Sequence, residues 1–140
     1  MTNKHIIQIA VIDDNAQLRE VSVKQLINSG FTLMFQADNG QQALEKIAAD
    51  NLPDVCIVEE DFATAKLLLE KYPGLKVLVS STDDAKESVT DMLKAGVSGY
   101  VLKYADPDEI VTAAKALGNG RKYFSVGVSD IATEYFTGQA

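Results

Sequence analysis

The chain has 140 residues, 46% of them apolar, with nine glycines, three prolines and a formal net charge of −7. That length suits one compact domain with its own core, and no Pro/Gly/Ser-rich stretch divides it. The acidic balance argues against nonspecific nucleic-acid binding by this segment, no apolar run approaches bilayer-spanning length, and the lone Cys56 excludes an internal disulfide, as expected in a reducing cytoplasm.

The opening MTNKHIIQIAVIDD runs from a short apolar stretch into two aspartates rather than a small-residue cleavage site. Residues 6–12 therefore read as a first strand, not a secretory signal, and His5 reads as exposed and inert. Asn15 is placed to cap a helix whose Leu18, Val21, Leu26 and Ile27 fall near one face, with Gly30 placed to end it. A second strand is expected at 31–37, and Asp38-Asn39-Gly40 turns the chain into a helix carrying Ala43, Leu44 and Ile47. Residues 54–58, DVCIV, are apolar on both parities, the pattern of a strand covered on two faces. Cys56 within them reads as a core residue. Phe62, Ala65, Leu68, Leu69 and Tyr72 then recur at helical spacing, closed by Pro73-Gly74. Residues 75–79 give a fourth strand, about 85–95 a helix ended by Gly96, and 99–102 a fifth strand. Asp106-Pro107-Asp108-Glu109 predicts a helix start, with an aspartate cap, proline at the first helical position and a glutamate three residues beyond the cap. That helix stops near Gly118.

Strand and helix units alternating through short loops imply a doubly wound five-stranded parallel sheet with helices on both faces, an α/β fold. In that architecture the working site lies at the carboxyl ends of the strands. Those ends carry Asp13-Asp14, Glu59, Ser81 and Lys103. Clustered carboxylates resist ionising together unless a cation is near. Oxygen ligands of this kind suit Mg2+, while a lysine and a hydroxyl suit a phosphoryl group.

The DD pair after the first strand, the hydroxyl after the fourth and the GYVLK segment at the fifth resemble the response-regulator receiver family of two-component signal transduction. The resemblance covers roughly residues 6–118, the receiver domain, leaving 119–140 as a tail or linker. It implies a flavodoxin-like strand order of 2-1-3-4-5. It also implies that Asp13 and Asp14 hold Mg2+ with the acceptor carboxylate and the backbone carbonyl of Asp61. Ser81 would be the switch hydroxyl, Tyr100 the switch aromatic and Lys103 the phosphate-binding lysine. KAGVSGYVLKYADPDEI and the later NGRKYFS are most similar to receivers attached to helix-turn-helix transcriptional output domains.

Two departures stand out. Where the family has a phosphate-accepting aspartate this chain has Glu59, and the loop after it reads EEDFATAK, short and without the family's methionine-proline and glycine turn. Glutamate sets its carboxylate one methylene farther out, and phosphoryl transfer depends on positioning. The favoured expectation is an atypical, phosphorylation-independent receiver acting through protein contacts, in which Glu59 either mimics the active state, engaging Ser81 and Lys103 unmodified, or only preserves structure. The alternative is a phosphorylatable switch of a transcriptional regulator using Glu59 or Asp61. A metal-dependent phosphatase ranks last, because such enzymes need an aspartate nucleophile with a second acid nearby.

Plainer readings stand beside these. Asp13-Asp14 alone would read as a strand-end turn, a reading that ranks behind the shared acidic pocket once Ser81 and Lys103 are in register; Asp61 would read as a helix cap, Ser81 or Thr82 as ordinary caps, and Tyr100 as packing. In the tail, Val126, Val128, Ile131, Tyr135 and Phe136 predict a short amphipathic helix after Ser129. By the resemblance, partners would be a histidine kinase, an output domain or another signalling protein, with a homodimer formed through residues 85–117. Neither a membrane nor direct nucleic-acid binding is expected.

Overall fold

A computed structural model describes residues 6–49, 51–103 and 106–138. The expectation for His5 lies outside them. In chain order the elements are β1 (Gln8–Ile12), α1 (Ala16–Asn28), β2 (Thr32–Ala37), α2 (Gly40–Ala49), β3 (Val55–Glu59) and α3 (Phe62–Lys71). They continue as β4 (Val77–Ser81), α4 (Lys86–Ala95), β5 (Gly99–Leu102), α5 (Glu109–Gly118), β6 (Tyr123–Phe124) and α6 (Val126–Thr137).

All strand pairs are parallel, in the order β2-β1-β3-β4-β5-β6. The expected flavodoxin-like order is present, but the sheet has six strands rather than five. The sixth escaped the sequence because two residues cannot display a period-2 pattern. Backbone bonds hold it: Tyr123 N donates to the Ser98 carbonyl at 3.2 Å and Ser125 N to the Tyr100 carbonyl at 3.0 Å.

Apolar side chains cover both faces of the sheet, and β3 and β4 are buried along their whole length. On one face Phe35, Ile47, Leu68, Met92, Tyr100 and Val128 form a single cluster. On the other, Val23 and Leu26 of α1 and Ala113 and Leu117 of α5 pack over Val11, Ile57 and Leu78. Cys56 is fully buried in the first cluster, as expected of a core thiol.

Local signals placed most helix ends. Asn15 caps α1, accepting from Leu18 N at 3.0 Å, and Gly30 follows that helix with φ 100°, a left-handed conformation available to glycine without a Cβ clash. Gly96 closes α4 in the same way.

The fourth strand, expected at 75–79, runs over Val77–Ser81, and two helix starts differ from expectation. α5 begins at Glu109, because Asp106 and Pro107 form a turn in which the Asp106 carbonyl accepts from Glu109 N at 2.9 Å. Aspartate followed by proline serves a β-turn as well as a cap. α6 begins at Val126, before Ser129, because Val128 and Ala132, four residues apart, enter the core from that start. The tail is thereby packed on the sheet and α4, with Lys86 Nζ 3.1 Å from Glu134 Oε1.

Candidate functional site

Strand ends deliver the residues at the centre of the site. β3 runs one residue farther than the sequence pattern suggests, ending on Glu59, which pairs with Ser80 of β4. Asp13 follows β1, and its amide prolongs the ladder by donating to the Ala37 carbonyl at 3.1 Å. Lys103 follows β5, its amide donating to the Ser81 carbonyl at 3.0 Å.

At the centre is an ion pair. Lys103 Nζ lies 2.9 Å from Glu59 Oε2 and 3.5 Å from Glu60 Oε2. The Glu59 side chain is only 5% exposed and that of Lys103 27%, so the pair is shielded on its carboxylate side. The Ser80 hydroxyl also bonds Glu59. Burial pushes the Glu59 carboxyl above the usual glutamate range, and the nearby ammonium offsets this only in part. For Lys103, burial pulls downward, but its bond to Glu59 and the charges of Glu59, Glu60 and Asp13 carry it above the usual lysine value.

Around this pair, Asp13, Asp14, Asp38, Glu59, Glu60 and Asp61 line a cleft of about 290 Å3. Asp13 Oδ1 accepts from Asn15 N at 2.9 Å, and Asp14 is exposed. Asp61 caps α3: its Oδ1 accepts from Thr64 N at 3.1 Å and its Oδ2 from the Thr64 hydroxyl at 2.6 Å. Its carbonyl accepts from Ala65 N at 3.2 Å, inside the first turn of α3. Arg19, unnoticed in the sequence, supplies a second cation at the acidic edge, 2.6 Å from Asp38. Its hydrogen bond, with that of Gln42, holds the Asp38 carboxyl below the usual range.

Receiver domains generally bind Mg2+ at their phosphorylation site. Among the described residues, no three His, Cys, Asp or Glu side chains converge as a metal site would require. Glu59 turns to Lys103, and Asp61 is engaged by α3 through both its carboxylate and its carbonyl. This arrangement does not fit an ion held by Asp13, Asp14, Glu59 and Asp61 together.

Ser81 and Tyr100 lie together, apart from the ion pair. Alternation along β4 puts Ser80, not Ser81, beside Glu59. The Ser81 hydroxyl accepts from Asp83 N at 3.0 Å and is bonded to Tyr100. Tyr100 is fully buried, donates its hydroxyl hydrogen to the Asp83 carbonyl, and meets the Phe62 ring edge-on at 6.1 Å. Burial pushes its phenol up to about 12. The expected contact between Glu59 and Lys103 is therefore present, while that between Glu59 and Ser81 is taken by Ser80.

Sequence reading missed the part played by Glu60 and Thr82. Glu60 Oε1 accepts from Thr82 N at 2.9 Å and from the Thr82 hydroxyl at 2.7 Å. The acidic and hydroxyl runs EED and SST were visible, but which member of each meets the other depends on where β3 and β4 end.

Residues 9–115 match the response regulator receiver domain. The chain is 33% identical over 142 residues to the transcriptional regulatory protein DegU of Brevibacillus brevis, covering 95% of this chain and 59% of that protein. It is 30% identical over 139 residues to the nitrate/nitrite response regulator protein NarL of Escherichia coli (strain K12), covering 94% and 63%. The chain thus spans about three-fifths of the length of these relatives. Among solved structures, a LuxR-family two-component response regulator from Aurantimonas sp. SI85-9A1 superposes with a TM-score of 0.82 at 23% identity, covering 94% of this chain and 99% of that one. The signal receiver domain of the response regulator NarL from Mycobacterium tuberculosis gives a TM-score of 0.74 at 29% identity, covering 84% and 100%. The chain belongs to the response regulator receiver family and is a receiver domain of two-component signal transduction, related to NarL-type transcription regulators.

Proposed function

We propose that this receiver works without phosphorylation, with Glu59 and Lys103 forming a permanent ion pair where other receivers carry a phosphorylatable aspartate. The observation that carries the reading is the 2.9 Å contact between Lys103 Nζ and Glu59 Oε2. The lysine expected to receive a phosphoryl oxygen already has a carboxylate against it. Among the described residues no buried side-chain nitrogen or oxygen lacks a partner, so the centre is satisfied as it stands.

Nucleophilic attack by Glu59 would first require breaking this pair and bringing the carboxylate into line with a donor. Asp61 is less suited still, since both of its carboxylate oxygens accept bonds from Thr64. The relatives are regulators rather than enzymes, and nothing in the cleft favours the phosphatase reading.

Output in this reading passes through protein contacts, with a kinase, an output domain or a second copy as partner, in the cytoplasm. The face at residues 85–117 is the proposed contact, although α6 already covers part of α4. No described helix is long and apolar enough to cross a membrane.

The test is intact-mass analysis after incubation with Mg2+ and acetyl phosphate, with Glu59→Asp alongside. The expected result is no adduct on the natural protein. A stoichiometric phosphate adduct on it would overturn the reading, and fragment mapping would locate the acceptor.

A further inference from the structure

The segment Glu59 to Phe62 is rebuilt relative to the family, and three of its contacts point the same way. Glu60 reaches the loop between β4 and α4, accepting from both the amide and the hydroxyl of Thr82. Its second oxygen faces Lys103. Two residues on, Phe62 stands at the first position of α3, because Asp61 caps that helix directly, and its ring packs against buried Tyr100. Tyr100 and Ser81 in turn hold Asp83 of the same loop.

Glu60 does this from a strained backbone. Its φ is 55°, the sole positive value at a non-glycine residue among the described residues. A left-handed conformation is disfavoured at a glutamate, whose Cβ crowds the backbone, and persists only where its surroundings determine it. Thr82 and Lys103 supply that determination, because the turn at Glu60 aims its carboxylate at both.

We infer that Glu60 and Phe62 are positioning residues that latch the β4–α4 loop, Glu60 through Thr82 and Phe62 through Tyr100, holding the loop and the aromatic in one arrangement. The latch deepens the phosphorylation-independent reading and rests on it: an unmodified carboxylate ties the loop after β3 to the loop after β4. It sits one residue beyond Glu59 on the β3 side and two beyond Ser80 on the β4 side.

Amide hydrogen exchange by NMR on the full chain tests it. In Glu60→Gly, which removes the carboxylate and also relieves the strained φ, exchange at Thr82 and Ala85 should rise about tenfold or more, while Ile57 and Val58 in β3 stay protected. Glu60→Gln keeps an acceptor for Thr82 and should retain most of the protection. Thr82→Val leaves Glu60 untouched and removes only the hydroxyl bond. It should accelerate exchange at the same positions, and it serves as the deciding variant if Glu60→Gly unfolds. Loop exchange unchanged in Glu60→Gly, or in Thr82→Val where the glycine variant does not fold, would overturn the latch. A phosphate adduct in the mass experiment would instead overturn the underlying reading, so the two failures are distinguishable.

Discussion

Lys103 Nζ and Glu59 Oε2 lie 2.9 Å apart across the ends of β5 and β3, although 44 residues separate them in sequence. The carboxylate is buried and the ammonium only partly so, which makes the pair asymmetric. Removing the lysine strands a buried charge, whereas removing the glutamate frees a cation that can reach water.

Lys103→Met is therefore expected to destabilise the domain by about 1–3 kcal/mol, the range for leaving a buried polar group unsatisfied. The partial exposure of Lys103 keeps the loss below the roughly 3–5 kcal/mol of a wholly buried pair. Glu59→Gln should cost less, and the double variant less than the sum of the two. Urea unfolding of all four proteins measures this coupling; strict additivity would mean that the contact contributes nothing.

Acid titration of stability should separate Glu59 from the other carboxylates. Its folded pKa lies above the ordinary 4.5, so between those two values the folded chain binds more protons than the unfolded one. Its contribution therefore declines as pH rises through that window. Asp38 behaves oppositely: its folded pKa lies below the ordinary 3.8, and its contribution, present above 3.8, is lost as pH falls through the folded value. Urea midpoints measured between about pH 3 and pH 7 should show the Glu59 decline in the natural protein and not in Glu59→Gln. The acid-side loss from Asp38 should persist in both.

Cys56 should be silent to thiol reagents in the native protein. It is fully buried, and burial pushes its thiol up to about 12, leaving almost no thiolate at neutral pH. Labelling with a chromogenic disulfide should track global unfolding and become immediate in denaturant. Rapid labelling under native conditions would show that β3 opens locally.

Ser125 ties the tail to the domain. Its hydroxyl donates to Glu109 Oε1 at 2.6 Å and accepts from Leu102 N at 2.9 Å, while the Tyr123 hydroxyl donates to Glu109 Oε2 at 2.9 Å. Ser125→Ala leaves the Leu102 amide without that acceptor and should cost about 1–3 kcal/mol in urea unfolding. Ending the chain at Gly120 should destabilise it more severely, because Val128 and Ala132 leave the core. Unchanged stability of the shortened chain would show that the domain does not depend on these tail contacts.

The sequence by itself determined the alternation of strands and helices, the parallel sheet of the first five strands, and the strand ends carrying Asp13, Glu59 and Lys103, while the order of those strands came from the family resemblance. Those features are written locally, in apolar runs bounded by Asn15, Gly30 and Gly96, and in short connections that leave few topologies open. Strand register and side-chain direction are not local. Whether Ser80, Ser81 or Thr82 meets an acid depends on where β4 ends, and one residue of difference sends a side chain to the opposite face of the sheet. The same limit hid β6, whose two residues become a strand only because the Ser98 and Tyr100 carbonyls are there to accept from the Tyr123 and Ser125 amides. Tertiary structure alone decided that Glu59 meets Ser80 rather than Ser81, that Glu60 takes Thr82, and that the tail packs into the core of this domain, because each contact joins segments that the chain brings together only by folding.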